Sequence, residues 1–104
     1  MLKPPTSHPG ARLREMFAQD IVTMPGVFNA ISAVSATKAG ASALYLSGAG
    51  LTNGTLGVPD IALATLTEFA QQAAYITAVT DLPVISDADT GFGESLNVMR
   101  TVIE

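Results

Sequence analysis

Three short apolar runs, separated by segments of helical periodicity, constrain this chain more than any other feature. They are Ile21–Val27, which passes through Met24-Pro25-Gly26 into a turn, then Ala43–Ser47, then Leu82–Ile85, whose strand is expected to run on to Asp89. Runs of this length between turn signals read as buried strands. Each is followed by a helix. Asn29 caps one over about residues 30–39, with Gly40 at its C′ position. Thr65-Leu66-Thr67-Glu68 is a capping box opening a second, whose stripe is Leu66, Phe69, Ala70, Ala73, Ala74, Ile76 and Val79. Ser95 caps a third, holding Leu96, Val98, Met99, Val102 and Ile103. A short helix over Pro9–Gln19 precedes them all, with Pro9 near its first position and Leu13, Met16 and Phe17 on one side.

The order is helix, then βα three times. Such alternation implies an α/β fold, a parallel sheet covered by helices. A doubly wound sheet and a (β/α)8 barrel both fit, and in either one ligands bind at the C-terminal ends of the strands. Three units leave two unpaired parallel edges, and a (β/α)8 barrel takes about 250 residues. The last helix meets Glu104 with neither a C-cap glycine nor a following proline. Residues 1–104 are therefore expected to be the N-terminal portion of one larger barrel domain whose remainder is absent. Residues 1–8 are expected to form a loose tail, since three prolines fall within the first nine positions.

Composition narrows the function classes. At 48% hydrophobic and 13% charged, the chain is too apolar for a disordered tail. A net charge of −4, with five Lys and Arg forming no patch, argues against nucleic acid. With no cysteine there is neither disulfide nor thiolate metal site. No uninterrupted apolar stretch suits a membrane span, and no signal-peptide pattern opens the chain, so a cytoplasmic location is expected. His8, the only histidine, reads as a solvated residue.

Two segments at strand ends carry chemistry. Ser86-Asp87-Ala88-Asp89-Thr90-Gly91-Phe92-Gly93 follows the third run, and strand alternation puts Ile85, Asp87 and Asp89 on one face. Two carboxylates there repel unless protons or a cation intervene, and Mg²⁺ takes such oxygen ligands while keeping waters. An Asp-rich turn that only caps glycine-rich backbone fits the same residues. The second segment is a glycine-rich loop from Gly48 to Asp60, beginning Ser47-Gly48-Ala49-Gly50. It reads either as a tight turn or as a cradle where backbone amides approach a small anion. Asp60, after Pro59, can also cap a helix. The loop has no G-x-G-x-x-G fingerprint and no phosphate-loop motif.

Taken together, Tyr45-Leu46-Ser47-Gly48-Ala49-Gly50, Leu56-Gly57-Val58-Pro59-Asp60 and Asp87-Ala88-Asp89-Thr90-Gly91-Phe92-Gly93 resemble the isocitrate lyase and phosphoenolpyruvate mutase superfamily, most of all its methylisocitrate lyase branch. The likeness runs from about Arg12 to Glu104 and includes Gly26–Ala33 and Thr65–Glu68. It implies a (β/α)8 barrel, a homotetramer, and a requirement for Mg²⁺, with Mn²⁺ as a substitute. It implies C–C or P–C bond chemistry on small dicarboxylate, tricarboxylate or keto-acid substrates through an enolate of pyruvate. For the methylisocitrate branch, that is cleavage of 2-methylisocitrate to pyruvate and succinate in propionate catabolism. The superfamily's phosphoenolpyruvate mutases, phosphonopyruvate hydrolases and oxaloacetate decarboxylase-type members share the Asp pair.

Carried onto this chain, the resemblance makes Asp87 the carboxylate nearest the metal. Asp89 holds the metal directly or through water, and Asp60 supports the water shell. Ser47, Gly48 and Ala49 bind the substrate's carboxylate and keto oxygen, with Tyr45 lining the pocket. Ala49 stands where many members have a second glycine. The lyases' catalytic cysteine, in a K-R-C-G-H loop, has no counterpart here, so the 104-residue chain alone is expected to be inactive. A truncated half-barrel that only associates with a partner is the reading from another functional class.

Overall fold

The computed structural model describes residues 8–104. In chain order it has α1 (Pro9–Gln19), β1 (Gly26–Val27), α2 (Ala30–Lys38), β2 (Leu44–Leu46), a π-helical segment (Gly50–Leu56), α3 (Leu66–Val79), β3 (Val84–Ser86) and α4 (Ser95–Ile103). The strands form one parallel sheet in the order β1-β2-β3, with Val27 opposite Leu46 and Leu46 opposite Ser86. The expected helix followed by three βα units is present. The tail expected over residues 1–8 lies outside the described residues, His8 excepted.

Local chemistry sets the helix starts. Asn29 accepts from the Ser32 amide at 2.9 Å, and Ser32 Oγ accepts from the Asn29 amide at 3.2 Å, a reciprocal capping box. Gly40 ends α2 with φ +98°, a conformation glycine adopts without strain. Thr65 accepts from the Glu68 amide at 3.3 Å, but the Glu68 carboxylate meets the Thr65 hydroxyl rather than its amide, so this box is half formed. His8 is solvent-exposed, and it also caps α1, its Nδ1 accepting from the Gly10 amide at 3.1 Å. Arg12 ties α1 down by donating to the Asp81 carbonyl before β3. α4 corrects the expected cap: Glu94 is the N-cap and Ser95 the first helical residue, because the Val98 amide bonds the Glu94 carbonyl at 2.9 Å.

The core lies on one face of the sheet. Leu44 and Leu46 of β2 are wholly buried with Val27, Leu51, Ala33 of α2, and Phe69 and Ile76 of α3. Each leucine removed from water contributes about 1.5–3 kcal/mol. Of the α3 stripe, Phe69 and Ile76 are buried and Leu66, Ala70 and Ala73 half-buried, while Ala74 and Val79 point to solvent. Tyr45, between the two leucines, is half-buried, as alternation requires of the opposite face.

All three strands are shorter than their apolar runs. Ile21 is 90% exposed, and β1 begins only at Gly26, since Pro25 has no amide for the ladder although its carbonyl accepts from Tyr45 at 3.0 Å. Ala43 is buried but stands outside β2. β3 stops at Ser86, with one further ladder bond from the Asp87 amide to the Leu46 carbonyl, 3.1 Å. Among the described residues no helix is long and apolar enough to cross a membrane.

Candidate substrate and metal site

The strand ends meet on one side of the sheet. After β2 the chain turns directly into helix as far as Leu56, which corrects the expected loop over Gly48–Asp60 in its first part; Gly57–Asp60 is irregular, as expected. Ser47 initiates the turn: its Oγ accepts from the Gly50 amide at 3.0 Å and its carbonyl from the Leu51 amide at 3.0 Å. The amides of Gly48 and Ala49 open the turn, so the helix offers them no carbonyl one turn back. Gly48 is buried and Ala49 exposed. Beyond them the helix widens into π geometry over Gly50–Leu56 and ends at Gly57, φ +69°, whose amide reaches back to the Thr52 carbonyl. Such segments are rare and concentrate at functional sites.

After β3 the backbone changes direction abruptly. The Asp89 amide donates to Asp87 Oδ1 at 3.0 Å, and Asp89 takes φ +46°. Asp89 has therefore left the strand, and the expected shared face of Ile85, Asp87 and Asp89 does not exist beyond Asp87. Gly91 (φ +99°), Phe92 (φ +63°) and Gly93 (φ +146°) continue the turn. It is secured by the Gly91 amide on the Ala88 carbonyl, 2.8 Å, and by Thr101 Oγ1 of α4 on the Gly91 carbonyl, 2.6 Å. The ring of Phe92 packs on Phe69 at 4.9 Å between centroids, tilted 58°.

Gly48 and Asp87 bring the two turns together. A Cβ built on Gly48 would fall on Asp87 Oδ2 and lie 3.0 Å from its Cγ and 3.2 Å from Phe69 Cζ. Only a residue without a side chain lets this carboxylate sit against the turn. Asp89, though exposed, has its pKa raised above the ordinary 3.8, first by what burial its carboxylate has, then by the charges of Asp87 and Asp60. Asp87 and Asp60 thus both lie within electrostatic reach of Asp89. Asp60 sits in an irregular stretch and caps no helix, since the next one, α3, has Thr65 as its N-cap. Among the described residues no group of three His, Cys, Asp or Glu is close enough to enclose an ion unaided. Hard oxygen donors at this looser spacing fit an ion that keeps part of its water shell, as Mg²⁺ does.

Two supporting residues escaped the sequence reading. Thr52 is buried, and its Oγ1 donates to the Gly48 carbonyl at 2.7 Å, locking the first helical turn. Its spacing four residues after Gly48 was the available signal, hidden by the glycine-rich composition around it. Phe92 was read only as part of the Asp-rich motif, and nothing in the local pattern marks its packing on Phe69.

These features define a parallel βα protein whose polar groups gather at the carboxyl ends of its strands. A family model described as phosphoenolpyruvate phosphomutase matches residues 13–104, and the chain belongs to that family, within the phosphoenolpyruvate mutase/isocitrate lyase superfamily. It is 51% identical over 105 residues to the 2-methylisocitrate lyase of Aeropyrum pernix, covering 100% of this chain and 34% of that one. Oxaloacetate acetylhydrolase superposes with a TM-score of 0.87 at 36% identity, covering 95% of this chain and 36% of the other. A phosphonopyruvate hydrolase complexed with oxalate and Mg²⁺ superposes with a TM-score of 0.81 at 26% identity, over 90% of this chain and 33% of that chain. The chain spans about a third of the length of these relatives, their N-terminal third, and its structural neighbours belong to a (β/α)8 barrel superfamily.

Proposed function

We propose that this chain supplies the anion-binding turn and the metal-binding carboxylates of a Mg²⁺-dependent carbon–carbon lyase, one that cleaves 2-methylisocitrate to pyruvate and succinate. The observation that carries the reading is the contact of Gly48 with Asp87, which puts free helix-opening amides beside a carboxylate. The 51% identity over the whole chain favours the methylisocitrate branch.

Asp87 would hold the ion, Asp89 would hold it directly or through water, and Asp60 would orient those waters. Bound there, Mg²⁺ supplies Lewis acidity to substrate oxygens. The chain's own groups bind and orient. Ser47 Oγ and the amides of Gly48 and Ala49 present donors to the substrate carboxylate, which the positive end of the helix also favours. Tyr45, on the same face as Ser47, lines the approach. Burial, and after it the charges of Asp87 and Asp60, disfavour the ionised form of Asp89, so a bound cation would relieve a cost already present in the fold. Acid–base chemistry on the substrate falls to groups beyond these residues. The whole enzyme would be a cytoplasmic homotetramer.

The test is an assay of the full-length protein with 2-methylisocitrate and Mg²⁺ (Mn²⁺ as substitute). Pyruvate release supports the lyase. A second reading, phosphonate or oxaloacetate chemistry, draws on the superposition with phosphonopyruvate hydrolase and oxaloacetate acetylhydrolase. Turnover of phosphonopyruvate or oxaloacetate without pyruvate from 2-methylisocitrate would replace the first reading with it.

A further inference from the structure

Gly50 and Gly54 mark a contact that substrate and metal binding leave unused. Phe28 follows β1, and its backbone amide donates to Ser32 Oγ at 3.1 Å, so the Asn29–Ser32 box that starts α2 also pins Phe28. The side chain then lies along the π-helical segment. A Cβ on Gly50 would stand 3.1 Å from Phe28 Cβ and Cδ1, and one on Gly54 would stand 3.0 Å from Phe28 Cε2. Glycines four apart fall on nearly the same side of a helix with i→i+5 bonding, so bare backbone meets opposite edges of one ring. Gly50 is also the residue whose amide binds Ser47 Oγ. The ring's position is therefore handed through one residue to the predicted substrate-binding hydroxyl.

We propose that Phe28 is a positioning residue for the anion-binding turn. Its ring seats Gly50 and Gly54, and so aims Ser47 Oγ and the amides of Gly48 and Ala49 at the carboxylate of a small dicarboxylate or keto acid. The inference rests on the substrate reading above. It predicts a compensating pair. In Gly54→Ala the new methyl pushes against the ring, and Phe28→Leu removes the Cε2 edge it would strike. Neither change touches Asp87 or Asp89.

The experiment uses the full-length protein with oxalate as probe under saturating Mg²⁺, by calorimetry, and measures Mg²⁺ affinity alone beside it. Gly54→Ala is expected to weaken oxalate about tenfold, the scale of a small misplacement of binding groups, and to raise KM more than it lowers kcat. Mg²⁺ affinity should stay within about twofold, as for a site outside the altered contact. The double variant Phe28→Leu/Gly54→Ala should bind oxalate no more weakly than Phe28→Leu alone. A purely structural role would lower the melting temperature and leave oxalate affinity of the folded protein unchanged, which overturns the inference. Strictly additive losses in the double variant overturn it too. Wild-type protein that binds no oxalate would instead overturn the proposed function, and this inference with it.

Discussion

Leaving β2, the chain runs over a buried floor: Leu46 and Leu51 are fully buried, Thr52 holds the Gly48 carbonyl, and Ser47 receives the Gly50 amide. Leaving β3, it reaches that core through the ring of Phe92 on Phe69. Ser86 is exposed, Asp89 and Phe92 take left-handed backbone, and α4 beyond them buries none of its residues fully. The first turn is held by packing and satisfied hydrogen bonds. The second holds carboxylates that repel one another. One half of the site is thus inseparable from the fold, while the other is a strained, charged device set on its edge.

The sharpest way to break this contrast is to remove charge from the second turn. On the proposed function, Asp87→Ala in the full-length protein should cut Mg²⁺-dependent turnover by about a thousandfold or more, several kcal/mol of transition-state stabilisation, while the fold survives. Circular dichroism and steady-state kinetics check both parts, and unchanged turnover removes Asp87 from the site. The matching change under the first turn acts on stability. Leu46→Ala should cost about 2–5 kcal/mol in urea unfolding. Ser86→Ala, at the position paired with Leu46 in the sheet, should stay within about 0.5 kcal/mol. Equal costs would mean that both strand ends share one core.

Gly48→Ala sharpens the comparison because it touches both turns. Its methyl would occupy the space of Asp87 Oδ2 and crowd Phe69, and overpacking of this kind costs about 1–3 kcal/mol. Mg²⁺ affinity should fall with stability, since the carboxylate must move to make room. Titration calorimetry that found metal binding intact in a destabilised variant would separate the two turns.

How far the sequence carried depends on whether the deciding physics was local. Asn29, Gly40 and Thr65 were legible because a cap is made by residues within one turn of each other. Strand ends were not. The segment at Ile21–Val27 begins well before the first ladder bond and the one at Leu82–Asp89 continues past the last, and only neighbouring strands decide where pairing starts and stops. The turn after Ser47 was misjudged because glycines at 48, 50, 54 and 57 look like a loop, whereas Gly50 and Gly54 lie against Phe28 from the turn after β1. The site residues were named through family likeness, not settled by any local pattern. What the likeness could not supply was the left-handed turn at Asp89 or the Gly48–Asp87 contact.

Charge in the second turn should also appear as pH dependence. Because Asp89's pKa is raised in the folded protein, the folded state binds that proton more tightly than the unfolded chain does. The contribution is fully present below the unfolded value of 3.8 and is lost as pH rises through the higher folded value. Asp89→Asn should therefore raise the melting temperature at neutral pH in metal-free buffer, and the gain should shrink as the medium is acidified through that window. Mg²⁺ should stabilise wild type more than the variant at neutral pH. A variant whose advantage grew on acidification would contradict a cost of ionising Asp89 from its burial and its acidic neighbours.

The smallest effect belongs to α4, where Arg100 Nε meets Glu104 Oε1 at 2.7 Å, with the arginine side chain 70% exposed. The geometry is good, yet three facts keep the pair weak. Exposed pairs of this spacing contribute only about 0.3–0.5 kcal/mol. The order, arginine before glutamate, is the less favourable one on a helix, and a carboxylate at the C-terminal end opposes the helix dipole. Arg100→Ala should therefore change stability by less than about 0.5 kcal/mol and lose even that in high salt, read from denaturant midpoints at two ionic strengths. A larger, salt-resistant loss would mean that Arg100 is held by something other than Glu104. The edge beyond β3 would then be anchored as firmly as the floor beneath β2.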